Sequence, residues 1–243
     1  RNQKYRRTDM KTPSLRSKLK PHLWFQAYWV IYLIWFFWLD LTIKNPKYII
    51  HSPIDDLIPF NEWFIFPYCS WFVLLAAVTA MLWWYDTESY DKLCLMMFSG
   101  MTLCLMIYMI LPNGLDIRPT AEAIGRDNLA MRLMQLIWKA ESSGNVCPSI
   151  HCQSSGCMAL AFSQSKLAKH RPALKAVAWV WAGLICLSTV FTKQHSIIDV
   201  VCGLVLVAVW LPFLYVKMTK IADLQENLAF CVPFLLTADV VPG

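Results

Sequence analysis

The stretch Trp63 to Tyr85, WFIFPYCSWFVLLAAVTAMLWWY, carries no charged residue and is as long as the ~20-residue helix needed to cross about 30 Å of hydrocarbon. Working outward, further apolar runs occupy residues 24–42, 93–112, 150–168, 174–192 and 196–216. The composition agrees: 57% of the 243 residues are hydrophobic, with 12 Trp and 13 Phe, and the mean hydropathy is +0.44. A soluble domain is roughly 45–50% apolar. The expectation is an all-α polytopic membrane protein built as a bundle of six transmembrane helices. The run at 150–168 is diluted by Gln153, Ser154, Ser155, Ser163 and Gln164, which are tolerated where they face a bundle interior.

Orientation follows the Lys and Arg distribution. With both termini cytoplasmic, the inner segments hold the basic lead from Arg1 to Lys20, Lys92, the group Lys166, Lys169, Arg171 and Lys175, and Lys217 and Lys220, which together are most of the 22 basic residues. The net charge of +6 is thus accounted for by topology and anionic lipid, with no nucleic-acid partner needed. The first apolar run is long and follows a polar, basic stretch, as expected of a retained anchor and not of a cleavable signal peptide. The domain division expected is a basic cytoplasmic lead (1–22), a six-helix membrane catalytic domain (23–220) and a C-terminal tail (221–243).

Most of the nine cysteines fall in apolar runs, where Cys acts as a small hydrophobe. Cys147 and Cys152 are spaced poorly for a zinc site. Lys44 to Glu62, with Pro46, Pro53 and Pro59, reads as an outer loop grazing the lipid interface. Trp63, Tyr68 and Trp71 fit an interfacial aromatic belt or core packing. The connection 113–149 is too long for a simple link. Within it Asp127 and Asn128 can cap a helix on which Leu129, Leu133, Leu136 and Ile137 recur at helical spacing, so an amphipathic helix is expected along the outer face.

Two short segments carry the chemistry. In His195-Ser196-Ile197-Ile198-Asp199, histidine and carboxylate are four apart at the start of an apolar run, so on a helix they share a face and Asp199 can hold the imidazole of a nucleophile. In Cys147-Pro148-Ser149-Ile150-His151 a second histidine stands at the entrance of another run, a candidate general acid beside a Ser able to bind an anion. Under the expected topology these residues and Arg118 all lie at the outer face.

Together the segments resemble the type 2 phosphatidic acid phosphatase superfamily, whose members carry Arg-Pro, Pro-Ser-x-His and Ser-Arg-x5-His-x3-Asp motifs in that order on a six-helix membrane bundle. Here the matching residues are Arg118-Pro119, Pro148-Ser149-Ile150-His151, and Ser188-Thr189 followed by His195 and Asp199, and the similarity covers roughly residues 60–216. The resemblance implies an integral-membrane lipid phosphatase acting on a lipid phosphate or diphosphate at the extracytoplasmic face. His195 would attack phosphorus to give a phosphohistidine, Asp199 orient it, His151 protonate the leaving alcohol, and Arg118 and Ser149 bind phosphoryl oxygens. No metal or cofactor is implied.

Two positions depart from the pattern. Leu111 stands where the family has Lys, and Thr189 where it has Arg. Lys193 is the better placed substitute for phosphate binding, with Arg126 in the long loop the other. Reduced cation sets also resemble the lipid phosphotransferase branch, the sphingomyelin and inositol phosphorylceramide synthases, which pass a head group to a lipid alcohol. An anion transporter is a further alternative, opposed by the gathering of polar groups at one face. A two-histidine, one-carboxylate iron site is another, opposed by the neighbouring Arg118, Ser149 and Lys193.

Overall fold

A computed structural model of the chain describes residues 22–210. The predicted lead (1–22, except His22), the end of the sixth apolar run and the tail 221–243 lie outside the described residues. Helices occupy every predicted apolar run: α1 (Ala27–Thr42), α3 (Ile65–Tyr85), α4 (Thr87–Ile110), α7 (Ile150–Gln164), α8 (Pro172–Phe191) and α9 (Ile197–Val209). Between them lie the short helices α2 (Pro53–Leu57) and α5 (Ala121–Ile124) and the longer α6 (Leu129–Ala140). The described residues are all-helical in their regular structure apart from a two-residue parallel pair, β1 (Tyr48–Ile49) on β2 (Asn113–Gly114). Among the described residues three helical segments, Glu62–Tyr85, Thr87–Ile110 and Pro172–Phe191, are long and apolar enough to cross a membrane, while α1 and α9 are apolar but shorter.

The polar dilution of the fourth run has a packing cause. α7 is the central helix, in contact with α3, α4, α8 and α9, and its residues Cys152 to Ser163 are all buried. Two of its polar side chains find partners on neighbouring helices: Trp71 Nε1 donates to Ser154 Oγ at 2.8 Å, and Gln153 Nε2 donates to the Met96 carbonyl at 3.2 Å. Gly203 of α9 lies so close to α7 that an added Cβ would stand 2.6 Å from the Ser149 carbonyl oxygen. Only a residue without a side chain permits this approach, which brings the first turns of α7 and α9 together.

One end of the bundle is closed by Asp86, which terminates α3 and caps α4. Its carboxylate accepts the Ser89 hydroxyl at 2.8 Å and the Lys166 amide at 2.7 Å. At the opposite end the loops interlock. Besides the strand pair, Asn61 N donates to the Phe191 carbonyl at 2.9 Å, and Asn113 fixes the approach to α7 by accepting from the Val146 and Cys147 amides.

The amphipathic helix forms as α6, with Asn128 accepting the Met131 amide at 2.9 Å as its cap. Its packed face is rotated from the expected one. Ala130, Met131 and Met134 are buried against Ile65 and Tyr68, with Leu133 and Ile137 partly buried, while Leu129 and Leu136 are exposed. The methionines were the signal left unused: unbranched and adaptable, they fill the irregular gap over the start of α3. The loop 44–62 reaches into the protein, where its Asp55 and Glu62 are almost fully buried.

Candidate active site

His195 sits in the five-residue turn from α8 to α9. The amides of Gln194 and His195 both donate to the Thr189 carbonyl, at 2.9 and 3.0 Å, and Lys193 takes a left-handed φ of 56° to make the reversal. Ser196 and Asp199 then start α9 with a capping box, each serving the other's backbone amide. In doing so Asp199 Oδ2 accepts Ser196 N at 2.9 Å and stands 3.3 Å from His195 Nδ1. Asp199 is fully buried. A proton on Nδ1 directed to this carboxylate leaves the Nε2 lone pair as the free nucleophile.

His151 lies in the first turn of α7, its ring between Tyr68 and Trp71 at centroid distances of 4.7 and 4.9 Å, and 5.7 Å from the His195 ring. Trp63 is exposed, as a belt residue would be, but Tyr68 and Trp71 are buried. These two hold the histidine. Both histidines line a cavity of about 430 Å3 whose walls include Tyr32, Phe36, Phe72 and Tyr108 and whose polar members include Asp40, Glu141 and Asn145.

The remaining predicted residues are placed less simply. Arg118 donates to the Glu141 carbonyl at 3.1 Å, to the Ser142 carbonyl at 3.2 Å and to Gln194 Oε1; it is thus joined to the residue preceding His195. Burial pushes its guanidinium below the ordinary value, though an arginine stays charged. Ser149 is fully buried as the cap of α7, its hydroxyl accepting the Cys152 amide at 3.4 Å. Lys193 does not line the cavity; its ammonium donates to the Asp55 carbonyl at 2.5 Å, and burial lowers its pKa against the opposing pull of Asp55 and Asp56. Arg126 pairs with the buried Glu62 at 3.1 Å. The two candidate substitute cations are therefore both engaged away from the histidines.

Three residues of this neighbourhood escaped the sequence reading. Glu141 lies at the cavity wall, its carboxylate accepting the Tyr68 hydroxyl at 2.8 Å; burial raises its pKa, against the opposing effects of Tyr68, His195 and Arg118. Gln194 was hidden by its position beside the more conspicuous histidine. Asp55 braces the turn that carries His195: its carboxylate accepts Ser196 Oγ at 2.6 Å, Ile197 N at 2.9 Å and Ser52 N at 2.9 Å. The sequence signal for Asp55 was Ser52-Pro53 followed by a carboxylate at the third helical position, a capping box that starts α2.

This arrangement of a carboxylate-held histidine, a second histidine and an arginine lies on the stretch that a known family covers. Residues 118–223 match the family model of the PAP2 superfamily. The resemblance read from the three motifs is the same superfamily, and the matched segment holds Arg118, His151, His195 and Asp199 together. No curated protein and no solved structure matches the chain. The PAP2 segment and the long apolar helices identify a membrane protein and support a phosphatase-type enzyme acting on phosphoesters.

Proposed function

We propose that the protein is an integral-membrane enzyme that cleaves a lipid phosphoester through a phosphohistidine on His195. The observation that carries this reading is the facing pair: His195, held at Nδ1 by Asp199, and His151, 5.7 Å away at the same cavity. The His195 Nε2 lone pair attacks phosphorus, the bond from phosphorus to the lipid oxygen breaks, and protonated His151 gives that oxygen its proton. His151, now neutral, takes a proton from water as water attacks the phosphohistidine, the P–N bond breaks, and both histidines return to their starting states. The aromatic and aliphatic walls suit the apolar part of a lipid, and the phosphoryl group would sit at the polar end beside Arg118.

The proposal includes the topology: six spans, both termini cytoplasmic, and the interlocked loops at the extracytoplasmic side, the arrangement that satisfies the Lys and Arg bias. Transfer to a lipid alcohol instead of water is the second reading. It is favoured by one observation, the engagement of Lys193 and Arg126 away from the cavity, which leaves a reduced cation set. The test is incubation of purified protein with labelled lipid phosphoesters, with and without lipid alcohols, followed by rapid quenching. Base-stable, acid-labile label on wild type but not on His195→Ala supports the mechanism, and product identity separates hydrolysis from transfer. Turnover in His195→Ala equal to wild type overturns it.

A further inference from the structure

The cavity wall beside His195 contains buried polar groups that the fold leaves without partners. Asn145 is only 7% exposed, and neither its Oδ1 nor its Nδ2 has a hydrogen-bond partner. Gln194 is 3% exposed; its Oε1 accepts from Arg118 while its Nε2 has none. Both residues line the cavity with His151 and His195. Buried amide groups in native proteins are nearly always paired, so those left over beside a cavity mark where a ligand makes up the missing bonds.

We propose that Asn145 and Gln194 are the direct phosphoryl-oxygen ligands of this site, with Arg118 acting through Gln194. The assignment rests on the phosphoester reading above. Arg118 is not among the residues that line the cavity; only its Nε is left without a partner, and its terminal nitrogens donate to the Glu141 and Ser142 carbonyls and to Gln194 Oε1. That last bond fixes which end of the Gln194 amide is free: oxygen faces the guanidinium, and the N–H donors remain. It also polarises the amide, strengthening the donors it leaves over. Asn145 is held in place by its backbone, with φ at 57° and its amide on the Asn113 carbonyl at 2.7 Å.

A cradle of two neutral carboxamides, backed by one guanidinium and facing the protonated His151 of the attacking state, with the Asp40 and Glu141 carboxylates in the same cavity to balance those two cations, is matched to a phosphoryl group with a single negative charge. A phosphodiester meets that condition. A dianionic monoester brings a second charge that the two carboxylates oppose.

Two variants separate ligand from brace. Asn145→Gly removes the carboxamide at a φ that glycine adopts freely. Gln194→Glu keeps an acceptor for Arg118 and replaces the free N–H donor with oxygen. If Gln194 only braces Arg118, the carboxylate serves at least as well; if it binds phosphoryl oxygen, it repels the substrate. With an aryl phosphodiester and an aryl phosphomonoester of the same leaving group as probes, wild type should turn over the diester faster. Each variant should lose about 100-fold on the diester, as for loss of one transition-state donor, while Gln194→Glu keeps the wild-type unfolding midpoint. Wild-type turnover in both variants, with Arg118→Ala and His195→Ala inactive, would overturn the cradle and leave the phosphoester reading standing. A wild-type preference for the monoester would overturn the charge assignment, whereas activity retained in His195→Ala would overturn the underlying reading instead.

Discussion

The Asp55 carboxylate accepts the Ser196 hydroxyl at 2.6 Å across 141 positions of chain. The same carboxylate takes the Ile197 amide and the Ser52 amide, and the Asp55 carbonyl takes the Lys193 ammonium. His195 is therefore held between two residues that are both anchored to one point in the loop 44–62. Asp55 also places a negative charge at the N-terminus of α9, where the helix dipole favours it.

All three partners of the Asp55 carboxylate are donors, so an acceptor-only group is required. Asp55→Asn turns one oxygen into an N–H2 group that faces a donor, and Asp55→Ala leaves the Ser196 hydroxyl and the Ile197 amide without a partner. A buried group stranded in this way costs about 1–3 kcal/mol. Both variants should unfold at lower temperature in detergent and lose turnover, Asp55→Ala the more severely. Unchanged unfolding midpoint and rate in Asp55→Asn would show that the brace is dispensable.

The two histidines should fail differently. His195→Ala removes the atom that bonds phosphorus and should abolish both labelled protein and turnover. His151→Ala should slow turnover by about 100- to 10,000-fold, the range for a lost general acid or base, because the same imidazole protonates the leaving oxygen and then activates water. An aryl phosphoester, whose leaving group departs unprotonated, should restore formation of the labelled protein in His151→Ala, where the label then persists because its hydrolysis is slow, and should restore none in His195→Ala. Equal loss of labelling with the aryl probe would contradict the division of roles.

Much of this was legible from the sequence because apolar periodicity and family motifs are local signals. The six helical runs, the Asn128 cap and the pairing of His195 with Asp199 all follow from spacings of a few residues. The brace and the packed face of α6 do not. Asp55 meets Ser196 through a tertiary contact that no local pattern encodes, and Ala130, Met131 and Met134 are buried because Ile65 and Tyr68 happen to lie beneath them. Lys193 shows the limit most plainly. Its position two residues before His195 suggested a phosphate ligand, but the left-handed turn carries its side chain to Asp55 instead.

That placement yields a prediction for Lys193. Lys193→Met keeps the buried methylenes and removes the bond to the Asp55 carbonyl, so it should lower the unfolding midpoint and kcat through the loosened turn while leaving KM near wild type. Arg118→Ala should instead lose about 3 kcal/mol of transition-state stabilisation, comparable to removal of an oxyanion donor. A large rise in KM for Lys193→Met with unchanged stability would return Lys193 to the phosphate-binding set.

Glu141 gives the stability a pH dependence of defined sign. Burial raises its pKa above the ordinary carboxylate value despite the opposing effects of Tyr68, His195 and Arg118. Between the unfolded value, about 4.3, and the raised folded value, the unfolded chain has lost a proton that the folded protein keeps. Stability therefore falls as pH rises through that window. Glu141→Gln should remove this component of the slope, and Tyr68→Phe, which deletes a bond favouring the charged form, should extend the window upward. Unfolding midpoints in detergent from about pH 4 to about pH 7 check both; a wild-type slope unchanged in Glu141→Gln would refute the assignment.

The orientation of the bundle is open to direct labelling. Glu122 is an exposed residue of α5 in the loop that leads to α6, and Lys169 is exposed in the basic turn between α7 and α8, at the end that Asp86 closes. If the Lys and Arg bias sets topology, these two positions lie on opposite sides of the membrane, with Glu122 outside. In a background carrying Cys147→Ser, Glu122→Cys should react with an impermeant thiol reagent in intact cells, and Lys169→Cys only after permeabilisation. The reverse pattern would put His195 and His151 on the cytoplasmic side, and the substrate would then have to be drawn from the inner leaflet.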